Sequence, residues 1–163
     1  AGRRRRGRAR RLMQVAAGFD HRGCHLREAV LGAIAAAGHD ALDLGVDTDA
    51  VRVDYPDIAQ SIGAAIRDGR AERGVFVCGS GVGASVAACK IPGIRAAICH
   101  DAYSAHQGVE HDDMNVLCLG SEIIGPSLAR DLVERFLAAT FIGEGRYLSR
   151  LEKVAELERL RDD

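Results

Sequence analysis

Gly74-Val75-Phe76-Val77-Cys78-Gly79-Ser80-Gly81-Val82-Gly83-Ala84-Ser85-Val86-Ala87-Ala88-Cys89-Lys90 is the stretch whose reading decides the fold. Gly74 to Val77 is a short apolar run of the kind that forms a buried strand. The small and apolar residues from Ala84 to Cys89 read as a helix. The turn between them holds three glycines, the residue type that lets backbone come close to a ligand. A strand, a glycine-rich turn and a helix in that order expose backbone N–H groups where anions bind. Cys78 adds a titratable thiol beside that turn. The combination points to an enzyme that stabilises a developing oxyanion while moving a proton.

The same alternation extends in both directions. Val15 to Phe19 reads as a strand and Leu26 to Ala37 as an amphipathic helix closed by Gly38. Asp40 to Leu44 is a second strand, and the polar loop from Val46 to Asp54 leads to Pro56 in the first turn of a helix reaching about Asp68. Downstream, Ile94 to Cys99 is a fourth strand and Ala102 to Val109 a helix, followed by the polar cluster Glu110-His111-Asp112-Asp113. Asn115 to Leu119 is a fifth strand, Pro126 opens a helix through Ala139, and Gly143 and Gly145 precede a charged helix over Leu148–Leu160. Strands separated by helices predict an α/β fold, with a parallel sheet covered on both faces and right-handed crossovers. The last helix is too charged for a core and is suited to packing across a partner subunit.

A chain of 163 residues fits one domain, and 47% hydrophobic with 28% charged residues is ordinary for a globular protein. Seven arginines crowd the first twelve residues, which leaves the remainder near −8 by the same counting that gives the whole chain −1. Residues 1–12 are expected to be a basic, disordered leader and residues 13–163 a single domain. A nucleic-acid arm is the competing reading of the leader, but the first strand starts at Met13 and the arginines stand outside the pattern. No apolar stretch approaches a membrane span, and no signal-peptide core follows the arginines. Five cysteines without metal-ligand spacing point to reduced thiols in the cytoplasm.

Parallel sheets bind ligands beyond the carboxyl ends of their strands. Asp20-His21, Gly45, Cys78-Gly79-Ser80, His100-Asp101 and Gly120-Ser121-Glu122 fall there. Each residue has a plainer reading as well. Asp20 suits a helix N-cap, Ser80 suits a cap, and a cysteine is most often a small core residue. Thiols near helix N-termini ionise readily and thiolates are competent bases, which favours the functional reading of Cys78. His111 is either part of a solvated loop or a proton carrier. His100 is a weaker candidate of the same kind, and His25, His39 and His106 read as surface residues. Arg146 and Arg150, four apart, share a helix face and could grip a phosphate, or simply be exposed. Gly79-x-Gly81-x-x-Ala84 also satisfies a dinucleotide fingerprint, with Asp101 as ribose ligand, but not on the strand that opens the sheet.

The series Gly18-Phe19-Asp20-His21-Arg22-Gly23, Asp54-Tyr55-Pro56, Cys78 to Gly83, Gly93-Ile94-Arg95-Ala96-Ala97, Tyr103-Ser104-Ala105 and Glu110 to Leu117 resembles the ribose-5-phosphate isomerase type B family. Galactose-6-phosphate isomerase subunits are members of the same family. The resemblance runs from Met13 onward. It implies a Rossmann-like three-layer α/β/α sandwich with a five-stranded parallel sheet, and a homodimer or homotetramer with pockets between subunits. The implied reaction is aldose–ketose isomerisation through a cis-enediol, with no metal and no cofactor, and with ribose 5-phosphate as the default substrate. Cys78 matches the base that moves the proton between C1 and C2, Ser80 a residue assisting at the substrate oxygens, and His111 the ring-opening histidine. Gly79, Gly81, Val82 and Gly83 match the anion hole, Asp20 and His21 substrate contacts, and Arg146 and Arg150 phosphate-binding arginines.

Two positions depart from that pattern. Asp112 stands where the family usually has asparagine, and Glu122 where an arginine commonly contacts the phosphate. A carboxylate at 122 is expected to repel a phosphate or to pair with Arg146 or Arg150. An altered sugar phosphate, an unphosphorylated aldose and a non-catalytic sugar-phosphate-binding role are therefore the alternatives to the default reaction.

Overall fold

A computed structural model describes residues 11–160. The expected leader falls mostly outside the described residues. Of it, Arg11 pairs with Glu72 at 3.1 Å on the surface. Strands β1 (Gln14–Phe19), β2 (Asp40–Asp43), β3 (Arg73–Cys78), β4 (Ala96–Ile98) and β5 (Val116–Gly120) form one parallel sheet in the order β2-β1-β3-β5-β4. Helices α1 (Arg27–Ala36), α2 (Tyr55–Arg67), α3 (Val82–Ala88), α4 (Ala102–Asp112), α5 (Pro126–Ala138) and α6 (Gly145–Arg159) alternate with the strands and follow them.

The period-two alternation of the strands sorts the core into two layers. Val15, Ala17, Phe19, Val75, Val77, Leu117 and Leu119 pack against α1, α4 and α5 on one face. Ala16, Phe76, Cys78, Val116 and Cys118 pack against α2 and α3 on the other. The expected three-layer sandwich is therefore present. Both faces are apolar because parallel strands need helical crossovers, and these cover the sheet on both sides.

Several boundaries differ from the sequence reading, and α6 begins at Gly145, three residues before the expected Leu148. The segment after β1 first makes a single 3₁₀ turn over Gly23–Leu26, and α1 begins only at Arg27. β4 is three residues long, because Asn115 holds the chain before it in a loop: its Oδ1 accepts from Arg95 N–H at 2.8 Å and its Nδ2 donates to Gly93 O at 2.8 Å. α4 runs on through Asp112, so the polar cluster around His111 is the last helical turn rather than a loop, closed by Asp113 at φ 50°. His39, read as a surface residue, is 4% exposed, and its Nδ1 lies 3.1 Å from Met13 N–H. The helix dipole and unpaired carbonyls at the end of α5 are met by Arg73, which donates to Phe136 O at 2.7 Å and Ala139 O at 2.8 Å.

One contact fixes how β1 meets β3. A Cβ on Gly23 would lie 1.8 Å from Val77 O, so only glycine lets the 3₁₀ turn rest directly on β3. Overpacking of a closed interior typically costs 1–3 kcal/mol. Gly23→Ala is accordingly expected to lower stability by about 3 kcal/mol in urea unfolding. Gly32→Ala serves as the control, because nothing lies within 4 Å of the added Cβ on α1. It is expected to stabilise by about 0.5–1 kcal/mol.

Candidate active site

β1 is followed by α1 on one face of the sheet, whereas β3, its neighbour, is followed by α3 on the other. The chain thus leaves two adjacent strands in opposite directions, which opens a crevice between their carboxyl ends. That crevice is a cleft of about 660 Å³ lined by Asp20, His21 and Arg22 after β1, by Cys78, Gly79, Ser80 and Gly83 after β3, and by Arg52 to Tyr55 before α2.

Each wall is held by local hydrogen bonds. Asp20 is 4% exposed, and its Oδ1 accepts from Arg22 N–H at 3.0 Å and Gly23 N–H at 2.7 Å. Asp20 thus closes the turn that leads into the 3₁₀ segment, whose N-cap position is Arg22 and not Asp20 as the sequence suggested. His21 Nδ1 lies 3.1 Å from Val53 O and 3.2 Å from Val53 N–H, which ties the ring to the loop entering α2. Cys78 is 4% exposed, at the last position of β3. Its Sγ accepts from Gly81 N–H at 3.2 Å, and Ser80 Oγ accepts from Val82 N–H at 3.3 Å. Two donors of the expected anion hole are thus committed to the site's own thiol and hydroxyl. The turn closes because Gly81 sits at φ 83°. Gly83 N–H, in the first turn of α3, has no upstream helical carbonyl and remains available to a ligand.

The cleft gathers Asp20, His21, Cys78, Gly79, Ser80 and Gly83. It is not lined by His111, Asp112, Arg146 or Arg150. Those residues sit on α4 and α6. The His111 ring centroid lies 4.7 Å from that of Tyr147, and the Arg146 guanidinium lies over the same Tyr147 ring at 5.0 Å. Gln107 Nε2 is 2.8 Å from His111 Nδ1. Asp112 lines a separate groove of about 610 Å³ between β4, α4 and α6.

Within one chain Glu122 pairs with Arg22 at 3.4 Å, a partner not among the expectations of phosphate repulsion or pairing with Arg146 or Arg150. Asp101, the candidate ribose ligand, instead caps α4. It accepts from Ser104 N–H at 2.7 Å, and this bond holds its carboxyl below the usual range. Burial pushes the Cys99 thiol up to about 11 and that of Cys118 well above its usual value, as suits inert core thiols. Arg22, Arg52 and Tyr55 line the cleft without having been assigned a role from sequence. Tyr55 had a signal in the Asp54-Tyr55-Pro56 motif, and its ring presses on Gly83, where a Cβ would come within 2.9 Å. Arg52 had none, being one charge in a polar loop.

The Ribose/Galactose Isomerase family matches residues 15–154. The chain belongs to that family. The isomerase is 36% identical over 151 residues to the ribose-5-phosphate isomerase B of Escherichia coli, covering 93% of this chain and 100% of that one. It is 34% identical over 147 residues to a D-erythrulose-4-phosphate isomerase of Pectobacterium atrosepticum, covering 90% and 96% of the two. The solved type B ribose 5-phosphate isomerase of Leishmania infantum superposes with a TM-score of 0.88 at 35% identity, covering 93% of this chain and 99% of that one. The enzyme of Clostridium thermocellum gives 0.86 at 38% identity, covering 91% and 99%. Among the described residues, no helix of the isomerase is long and apolar enough to cross a membrane.

His100 anchors the far side of the cleft wall. Its Nε2 accepts from Gly120 N–H at 3.0 Å, and Gly120 is paired in register with Cys78. Burial lowers the His100 pKa from its ordinary 6.5. Below that value the unfolded chain binds a proton that the folded ring resists. The stabilisation is therefore complete above pH 6.5 and is lost as pH falls through the lower folded-state value. The wild-type urea midpoint is expected to drop more between about pH 7.5 and about pH 5.5 than that of His100→Gln. Equal drops would remove His100 from this role.

Proposed function

We propose that this isomerase interconverts a phosphorylated aldose and its ketose through a cis-enediol, with D-ribose 5-phosphate and D-ribulose 5-phosphate as the default pair. The observation that carries the reading is Cys78 Sγ, buried at the crevice between β1 and β3, bonded by Gly81 N–H and flanked by Ser80. A base so placed removes the C2 proton of the open-chain aldose while O1 gains negative charge. The proton is then returned to C1, a proton passes from O2 to O1, and the C2 carbonyl forms. No electrons leave the substrate and no co-reactant is consumed. Ser80 Oγ and Gly83 N–H face the oxygens at which charge develops, where fixed donors act most strongly on the barrier. Asp20 holds the loop that carries His21 toward the sugar.

His111 opens the furanose ring in this reading, and Arg146 and Arg150 hold the phosphate, all three supplied by a second copy of the chain. Support comes from the separation of these residues from the Cys78 cleft within one chain. Further support is the apolar groove beside edge strand β4, where Val154 and Leu157 of α6 lie exposed for a partner to cover. A tetrose phosphate is the second reading of the substrate, favoured by the similarity to the D-erythrulose-4-phosphate isomerase. Five free cysteines suit a reducing cytoplasm.

Purified protein assayed on ribose 5-phosphate and a panel of free and phosphorylated aldoses tests the reaction. Cys78→Ala is expected to lower turnover by about 10²–10⁴-fold. Activity that survives Cys78→Ala would overturn the assignment of the base. Mixing Cys78→Ala and His111→Ala chains after joint refolding tests the shared site. Each variant alone is expected to be strongly impaired. Half of the dimers are then mixed, with one intact pocket of two, so about a quarter of wild-type activity is expected to return. No recovery would place both residues in one chain's site.

A further inference from the structure

One of the two arginines lining the Cys78 cleft is the residue after Asp20-His21, and it pairs with Glu122. Nε, Nη1 and Cζ of Arg22 lie 2.8–3.0 Å from where a Cβ of Gly79 would stand, so the guanidinium lies against the backbone next to Cys78. The Arg22 backbone is fixed at this place. Its N–H is bonded to Asp20 Oδ1 at 3.0 Å, and its carbonyl accepts from Ser121 Oγ at 2.9 Å. The Glu122 backbone is tied to the same point, because its N–H donates to Gly79 O at 2.9 Å and the preceding Ser121 N–H donates to Cys78 O at 2.9 Å. The two side chains then meet at 3.4 Å.

Arg22 lines the cleft and Glu122 does not. Arg22 is therefore the member of the pair that reaches the cleft. The other charged groups that line it are Arg52, Asp54 and Asp20, and the Asp20 carboxylate is already committed to two backbone N–H groups. A guanidinium offers five donors in a planar fork that fits a phosphate, and only the outward edge of Arg22 is needed for Glu122.

The geometry points to Arg22 as the residue within the Cys78 cleft that selects for a phosphate monoester on the substrate, with Glu122 as a positioning residue acting through it. This rests on the isomerase reading of the same cleft and extends it. A carboxylate at 122 alone would repel a phosphate dianion. Screened and paired by Arg22, it orients the cation that receives that dianion. Loss of Arg22 should therefore do two things at once, removing a donor fork and uncovering Glu122.

Steady-state kinetics on ribose 5-phosphate and free ribose, with Arg22→Ala, Arg22→Lys, Glu122→Gln and the Arg22→Ala/Glu122→Gln double variant, test this. Inorganic phosphate titrated by calorimetry is measured in parallel. Arg22→Ala is expected to raise KM for the phosphorylated sugar about tenfold or more, with kcat changed far less and free-sugar KM little affected. Arg22→Lys should recover part of the loss. Glu122→Gln should raise KM in wild type, where it releases Arg22, and lower it in the Arg22→Ala background, the non-additivity expected of two groups in contact. Phosphate affinity should follow the same order. Equal losses on phosphorylated and free sugar, or a Glu122→Gln effect of the same size and direction with and without Arg22, would overturn the proposal. If wild type isomerises no sugar, the isomerase reading falls, and Arg22-dependent phosphate binding still decides the anion site by itself.

Discussion

Three strand ends meet at backbone contact around one residue, and the rest of the site depends on that meeting. The 3₁₀ turn after β1 rests on Val77 O, the last turn of β5 returns Ser121 N–H to Cys78 O, and Gly120 sits so close to Ser80 that a Cβ would lie 2.6 Å from its carbonyl. Cys78 is at the centre of this junction. Its position is fixed on both sides by parallel pairing, through Val77 to Phe19 of β1 and through its own register with Gly120 of β5. A thiol on a free loop would have to be ordered for each turnover. This one is held by the sheet, and its sulfur is directed by a single backbone donor.

The charges at the rim follow from the same stitching. Arg22 and Glu122 are both about half exposed, with side-chain exposures of 56% and 51%. An ion pair of that kind contributes little to stability, with a typical range of about 0–1 kcal/mol. Its importance lies in which charge faces inward. Backbone bonds set the two side chains so that the guanidinium covers Gly79 and lines the cleft, whereas the carboxylate does not. Which member of the pair reaches the cleft is thus decided by packing and not by net charge.

The site also divides by element. The proton-handling group stands on the carboxyl edge formed by β1 and β3, whereas His111, Tyr147 and Arg146 form a second cluster on α4 and α6. α6 buries none of its residues among those described and carries exposed Leu148, Val154 and Leu157, with exposed Leu160 just after it. A helix with polar composition and an uncovered apolar stripe stays attached through few internal contacts, which is consistent with an element whose packing is completed by another copy.

Sequence by itself determined the parallel α/β sandwich, because apolar strand runs spaced by helix-length segments leave no other way to bury both faces of the sheet. It also singled out Asp20, Cys78 and Ser80, since strand-end residues beside glycines announce themselves by local spacing. It raised His111 and the two arginines as candidates but gave them roles only through family likeness, and it offered Arg146 or Arg150, not Arg22, as a partner for Glu122. Tertiary structure decided that Glu122 meets Arg22, one hundred residues earlier in the chain, because the ends of β1 and β5 flank β3 on either side. It likewise decided that His39 is buried and that two of the turn's N–H groups serve the site's own sulfur and hydroxyl. Periodicity and spacing carry the local conformation and the burial of each face. Which charges and donors end up in contact depends on strand order, which a single sequence does not display.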